Sequence, residues 1–170
     1  MWTVLFALLP GVMARTYIYG SSVLIQLTVC IVAALLAEAL ILAFRGRPVR
    51  ATLADNTALV TAVLLSSSLP PYLPAWILII GVVFAVVIAK QLFGGIGMNA
   101  FNPAMVGFVV LVISFPDWVI FWPNPLAPTP SFSESMQFIF WGATVAEDAV
   151  TSATPLTVMH TQLDLSLIHI

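Results

Sequence analysis

The hydroxyls of Thr151, Ser152 and Thr154 stand close to the carboxylate of Asp148 in the run Asp148-Ala149-Val150-Thr151-Ser152-Ala153-Thr154-Pro155-Leu156. No His, Cys or Lys in that run can serve as base or nucleophile, which argues against ordinary acyl or phosphoryl transfer. Small residues frame the hydroxyls and let a large partner approach the backbone. The chemistry that fits is acceptance of a covalent modification on a side-chain oxygen. A structural role stays open beside it, because Asp148 and Thr151 also suit a helix cap or an Asx turn ahead of Pro155.

A second group of polar residues is set into apolar sequence: Glu38, Asp55, Asn56, Asn99 and Asn102. A carboxylate at membrane depth, such as Glu38, suits an ion or proton path. It also lies two turns before Arg45, and snorkelling toward that end or pairing with Arg45 is the alternative account. Asp55 and Asn56 suit either the lining of a cavity or the start of a helix. His160 and His169 read as incidental, and Cys30, alone in an apolar run, reads as packing without a metal site.

The elements that must hold these groups are set by composition. With 61% hydrophobic and 7% charged residues in 170, the chain falls far below the ~25% charged residues of a soluble domain. The expected fold is an all-α integral membrane protein, a multi-span helical bundle in a lipid bilayer. A net charge of −2 and the lack of a basic stripe exclude nucleic acid as a partner. No basic n-region precedes the first apolar stretch, so a cleaved signal peptide is not expected.

Apolar runs place spans near 2–20, 21–44, 52–69, 74–93 and 96–115. Arg45, Arg47 and Arg50 form the basic cluster that marks a cytoplasmic loop, and Pro48 breaks a helix there. The segment from Thr52 to Ser68 is either a short span or a broken, partly re-entrant one. In the next span Trp76 is expected at one interface and Lys90 at the other. Single crossings return Lys90 to the side of Arg45, in agreement with the charge rule.

The block Gly94-Gly95-Ile96-Gly97-Met98-Asn99-Ala100-Phe101-Asn102-Pro103 lacks the third glycine of a dinucleotide fingerprint and follows no strand. Asn102 as N-cap and Pro103 as first helical residue predict a helix running to about Ser114. At ~1.5 Å per residue that helix is only ~20 Å long, so its N-terminus lies at depth near Lys90. There it would favour an anion or an electron-rich ring carbonyl, unless the glycines serve close packing alone. Beyond it, Trp118, Phe121 and Trp122 suggest an interfacial belt, Pro123, Pro125, Pro128 and Pro130 preclude regular structure, and residues 133–141 suit a short interfacial helix.

The sequence from Ala89 through Lys90-Gln91-Leu92-Phe93-Gly94-Gly95 to Asn102-Pro103-Ala104-Met105, running into Ile113-Ser114-Phe115-Pro116, resembles the D-type subunits of the Rnf electron-transport complex. Ala37-Glu38-Ala39-Leu40, Thr52-Leu53 with Asp55-Asn56, and Pro70-Pro71 follow the same family in the same order. The B-type subunit of the sodium-pumping NADH:quinone reductase is the next nearest resemblance, and a flavin-free, urea-type channel or transporter is the alternative class. The run at 148–154 looks like the D-x-x-[ST]-[small]-A-T signature read by a flavin transferase, with Ala149 and Ser152 where that pattern often has glycine.

That resemblance implies a fold built from inverted helical repeats, like urea channels, of which this chain would hold roughly the first. It implies a subunit of a redox-driven ion translocase with no stand-alone catalytic residue, moving electrons between ferredoxin and NAD and coupling them to Na+ or H+. FMN would be joined through its phosphate to Thr154, with Asp148, Thr151, Ser152 and Ala153 recognised by the transferase. Riboflavin, held without a covalent bond, and the other subunits of the complex are the further implied partners. Residues 1–116 would be the transmembrane region of a multi-pass protein of the bacterial inner membrane. Residues 117–156 would be a periplasmic loop carrying the flavin site, by counting crossings from the basic loop. Residues 157–170 depart from the family and read as a truncated tail.

Overall fold

The computed structural model describes residues 1–93, 101–120 and 122–142. The Asp148–Thr154 run, Asn99, His160 and His169 therefore lie outside the described residues. Within them the chain is helical: α1 (Trp2–Tyr19), α2 (Ser22–Phe44), α3 (Val49–Leu53), α4 (Thr57–Ser68), α5 (Ala75–Val83) continued as a π-helix (Phe84–Leu92), α6 (Pro103–Ser114), α7 (Pro116–Val119) and α8 (Phe132–Trp141).

Two of these stretches, Ser22–Phe44 and the continuous Ala75–Leu92, are long and apolar enough to cross a bilayer. Their outer faces carry large apolar side chains in the open, Phe44 at 87% exposure and Trp76 at 51% among them. In water such a surface would drive aggregation; facing lipid tails it has no such cost. The chain is an all-α membrane protein, as its composition predicts.

Helix α2 is the axis of the bundle. α4, α5, the π-helix, α8 and α1 all pack against it, around a core that includes Cys30, Ala34, Leu65, Ile77 and Val86. Small residues allow close approach where α5 crosses α6. A Cβ on Gly107 would lie 2.6 Å from the carbonyl oxygen of Gly81, so only glycine fits that crossing. Helix α1, by contrast, has no buried residue and lies on the outside of α2 and α4.

The segment from Thr52, expected as either a short span or a broken one, is broken. Asn56 adopts a left-handed conformation, φ 59°, which ends α3 and starts α4 afresh. The carboxylate of Asp55 accepts from the backbone N–H of Thr57 at 2.7 Å, supplying the cap that the first turn needs. At its other end Pro70 and Pro71 stop the helix after Ser68. α4 thus spans ~18 Å, less than the ~30 Å of a bilayer core, and both its ends are met by protein side chains.

Two expectations agree with the structure in detail. Asn102 caps α6 by accepting from Ala104 N–H at 3.0 Å, with Pro103 as the first helical residue. Helix α8 begins in a full capping box, Ser131 to the Glu134 N–H and Glu134 back to the Ser131 N–H, followed by burial of Ser135 and Ile139 against α2 and α5.

Candidate functional site

Glu38 belongs to α2 and is wholly buried, 0% exposed. Neither snorkelling nor pairing with Arg45 is what happens. Lys90 of the π-helix, expected at an interface, is itself only 2% exposed and places its Nζ 2.5 Å from Glu38 Oε1. Arg45 turns instead to the carbonyl oxygen of Gln91. The correction has a physical cause: Arg45 is the first residue past α2, where it caps the carbonyl end of the neighbouring π-helix, while Glu38 lies farther inside, level with Lys90.

The π-helix makes the arrangement. Its wider turn brings two consecutive residues onto one acceptor, since Gln91 Nε2 also donates to Glu38 Oε1, at 2.7 Å. Stretches of π-helix cost hydrogen-bond geometry and are frequent at functional sites. On the far side, Lys90 Nζ donates to Thr57 Oγ1, and Thr57 Oγ1 donates to Asp55 Oδ1. Three elements therefore meet in one polar chain, Gln91 and Lys90 with Glu38, then Thr57, then Asp55, which is exposed.

One atom in this network has no partner. Glu38 Oε2 is buried and accepts no hydrogen bond among the described residues. A lone buried carboxylate oxygen is costly, and Lys90 offsets that cost through charge alone. The arrangement holds a carboxylate that is neutralised on one oxygen and left open on the other.

Of the other candidate residues, Asn56 makes the turn and donates its side-chain N–H to the Ala54 carbonyl at 3.3 Å. Asn102 serves as the α6 cap. The structure thus joins Glu38 and Asp55 but gives Asn56 and Asn102 local backbone tasks. Among the described residues no three His, Cys, Asp or Glu side chains gather as a metal site would require.

Sequence reasoning did not anticipate Thr57 and Gln91 in the network, or the polar group at the opposite end of α4. There Arg15 of α1 donates to the carbonyls of Ser66 and Leu69, at 2.9 and 2.8 Å, and lies over the Trp122 ring at 5.6 Å. Gln26 donates weakly to the Ser66 carbonyl, at 3.5 Å. A signal for the first pairing was available: Glu38 and Lys90 are opposite charges inside apolar spans, and counting crossings brings them to one end.

A helical bundle with apolar outer faces and an ion pair buried between two spans is the architecture of an integral membrane protein. The model of the NQR2, RnfD, RnfE family matches residues 1–169, and the chain belongs to that family. It is similar to the D-type subunit of the ion-translocating oxidoreductase complex of Yersinia pseudotuberculosis serotype O:1b, 47% identical over 96% of this chain and 50% of the relative. The corresponding proteins of Escherichia fergusonii and Escherichia coli O1:K1 are 43% and 45% identical over the same shares. The chain spans about half the length of these curated relatives.

Proposed function

We propose that this chain is part of a D-type membrane subunit of a redox-driven ion translocase of the bacterial inner membrane, working between reduced ferredoxin and NAD and moving Na+ or H+. The observation that carries the reading is the family match over residues 1–169, joined to relatives named as subunits of an ion-translocating oxidoreductase complex. The other subunits of that complex are then its partners.

In this reading Thr154 carries FMN through a phosphoester, attached by a flavin transferase that reads Asp148, Thr151, Ser152 and Ala153. Among these hydroxyls and this carboxylate the donor set fits an ester acceptor, because Thr154 offers an oxygen and no neighbour competes as a stronger nucleophile. The bound flavin would supply one- and two-electron transfer, and the protein would position and tune it. A periplasmic position for that residue is the reading that crossings counted from the Arg45–Arg50 loop support.

Production of the full-length subunit together with a flavin transferase tests the proposal. Flavin fluorescence should stay on the protein band through denaturing electrophoresis and vanish in Thr154→Ala. A non-fluorescent wild-type band, with the transferase shown to be active on another substrate, would return the chain to the flavin-free transporter class.

A further inference from the structure

We propose that the groove between α2 and the Ala75–Leu92 helix, together with the arginines at its end, binds one anionic diacyl phospholipid. The groove has a volume of about 450 Å³ and only apolar residues line it, Ala33, Ala37 and Phe44 from α2 and Ile79, Val83 and Val87 from the other helix. Ala33 and Ala37 are half-buried and lie one turn apart, so their methyl groups leave open the space that larger side chains would fill. Residues 33–44 advance ~16 Å along α2, which matches half of the ~30 Å hydrocarbon core of a bilayer. An acyl chain lying in the groove would therefore run from the midplane to headgroup level.

Charge decides which lipid fits. Phe44 ends the groove and Arg45 follows it directly, with Arg47 and Arg50 close behind, all three exposed. Arg45 donates to the Gln91 carbonyl, about one turn of the π-helix beyond Val87, which fixes its guanidinium where the two walls of the groove end. Arg47 and Arg50 have no carboxylate partner among the described residues, where the salt bridge joins Lys90 to Glu38. Asp55, the next carboxylate in the sequence, accepts from the N–H and hydroxyl of Thr57.

A lipid phosphodiester at that level would meet guanidiniums whose planar fork suits its oxygens. A choline headgroup brings its own cation and cancels much of the attraction, so a headgroup with net negative charge is favoured. A protein helix seated on the same face would have to bring carboxylates to the same end. An anionic lipid supplies the apolar chain and the charge in one molecule. The site requires neither flavin attachment nor ion movement.

Photo-crosslinking of the full-length subunit in its assembled complex tests the site. The complex is placed in phosphatidylcholine vesicles holding a trace of phosphatidylglycerol with a diazirine on one acyl chain. Peptide mapping should find the label in residues 33–44 and 79–87, at least about fivefold above that left by phosphatidylcholine carrying the same diazirine chain. Unlabelled phosphatidylglycerol should compete, and inorganic phosphate should not. Arg47→Gln combined with Arg50→Gln should lower the label to the choline level, whereas Arg47→Lys with Arg50→Lys should keep most of it. Ala37→Phe, which fills the groove, should reduce labelling by both lipids, and the exposed arginine pair covers the case in which that variant fails to fold. Equal labelling by the two lipids, displacement by inorganic phosphate, or unchanged labelling in the glutamine pair would overturn the site. So would crosslinks from these segments to another polypeptide of the complex in place of lipid.

Discussion

Lys90 and Gln91 are neighbours in sequence, and both donate to the same oxygen of Glu38, 52 and 53 residues away. The pairing ties the second half of the Ala75–Leu92 span to the axis of the bundle. Loss of one member leaves the other buried and uncompensated. Lys90→Met should therefore destabilise the protein by ~3–5 kcal/mol, whereas Lys90→Met combined with Glu38→Gln should recover a large part of that loss. Thermal unfolding in detergent, run as a double-mutant cycle, measures the coupling.

The close crossing of α5 and α6 gives an order of effects. A Cβ on Gly107 would press at 2.6 Å on a backbone oxygen, whereas one on Gly81 would meet the Leu111 Cδ1 at 2.5 Å. A side chain can shift and a backbone carbonyl cannot do so cheaply. Gly107→Ala should cost ~1–3 kcal/mol and Gly81→Ala less. Gly11, with nothing within 4 Å of its Cβ position, should tolerate Ala with a gain of ~0.5–1 kcal/mol. Melting temperatures of the three variants give the ranking.

Much of this fold could be read from apolar periodicity and caps. Asn102-Pro103 marks the start of α6, because caps are local and act within four residues, whereas the short helix expected over 133–141 proves to begin at Phe132 behind a Ser131–Glu134 capping box that this expectation does not use. The Glu38 site was legible only in part. Glu38 and Asp55 stand out as polar groups in apolar sequence, but their link through Thr57 and Lys90 depends on two helices packed against α2 and on a π-register that no local pattern encodes. A broken segment is among the readings of Thr52–Ser68, and what the sequence leaves open is the place of the break, which a single left-handed residue, Asn56, fixes.

Arg15 supports the short helix α4 from outside. Its guanidinium reaches the Ser66 and Leu69 carbonyls together, at the helix end whose last carbonyls lack partners within the helix, although Ser66 also accepts long contacts from Leu69 N–H and Gln26. A lysine has the charge but not the planar fork that reaches both. Arg15→Lys should cost nearly as much as Arg15→Met, ~1.5–3 kcal/mol for charged hydrogen bonds. Hydrogen exchange localised to residues 65–69 should rise in both variants, and a lysine variant indistinguishable from wild type would refute the forked contact.

Acid should act on helix α8 through one carboxylate. Glu134 in the capping box is held below the usual carboxylate range, first by the hydrogen bond from the Ser131 N–H and then by that from its hydroxyl. A carboxylate with a lowered folded-state pKa stabilises the fold at pH above its unfolded value, about 4.3, and loses that contribution as pH falls through the folded value. The ordering of α8 against α2 should therefore be pH-independent near neutrality and weaken only in acid. Glu134→Gln should differ from wild type at pH 7 and converge with it in acid, since both side chains are then neutral. Fluorescence of a probe attached in place of Gln137, an exposed position of α8, follows the helix across that range. A gap between the two proteins that stays constant from neutral to acidic pH would show that the carboxylate charge plays no part in the cap.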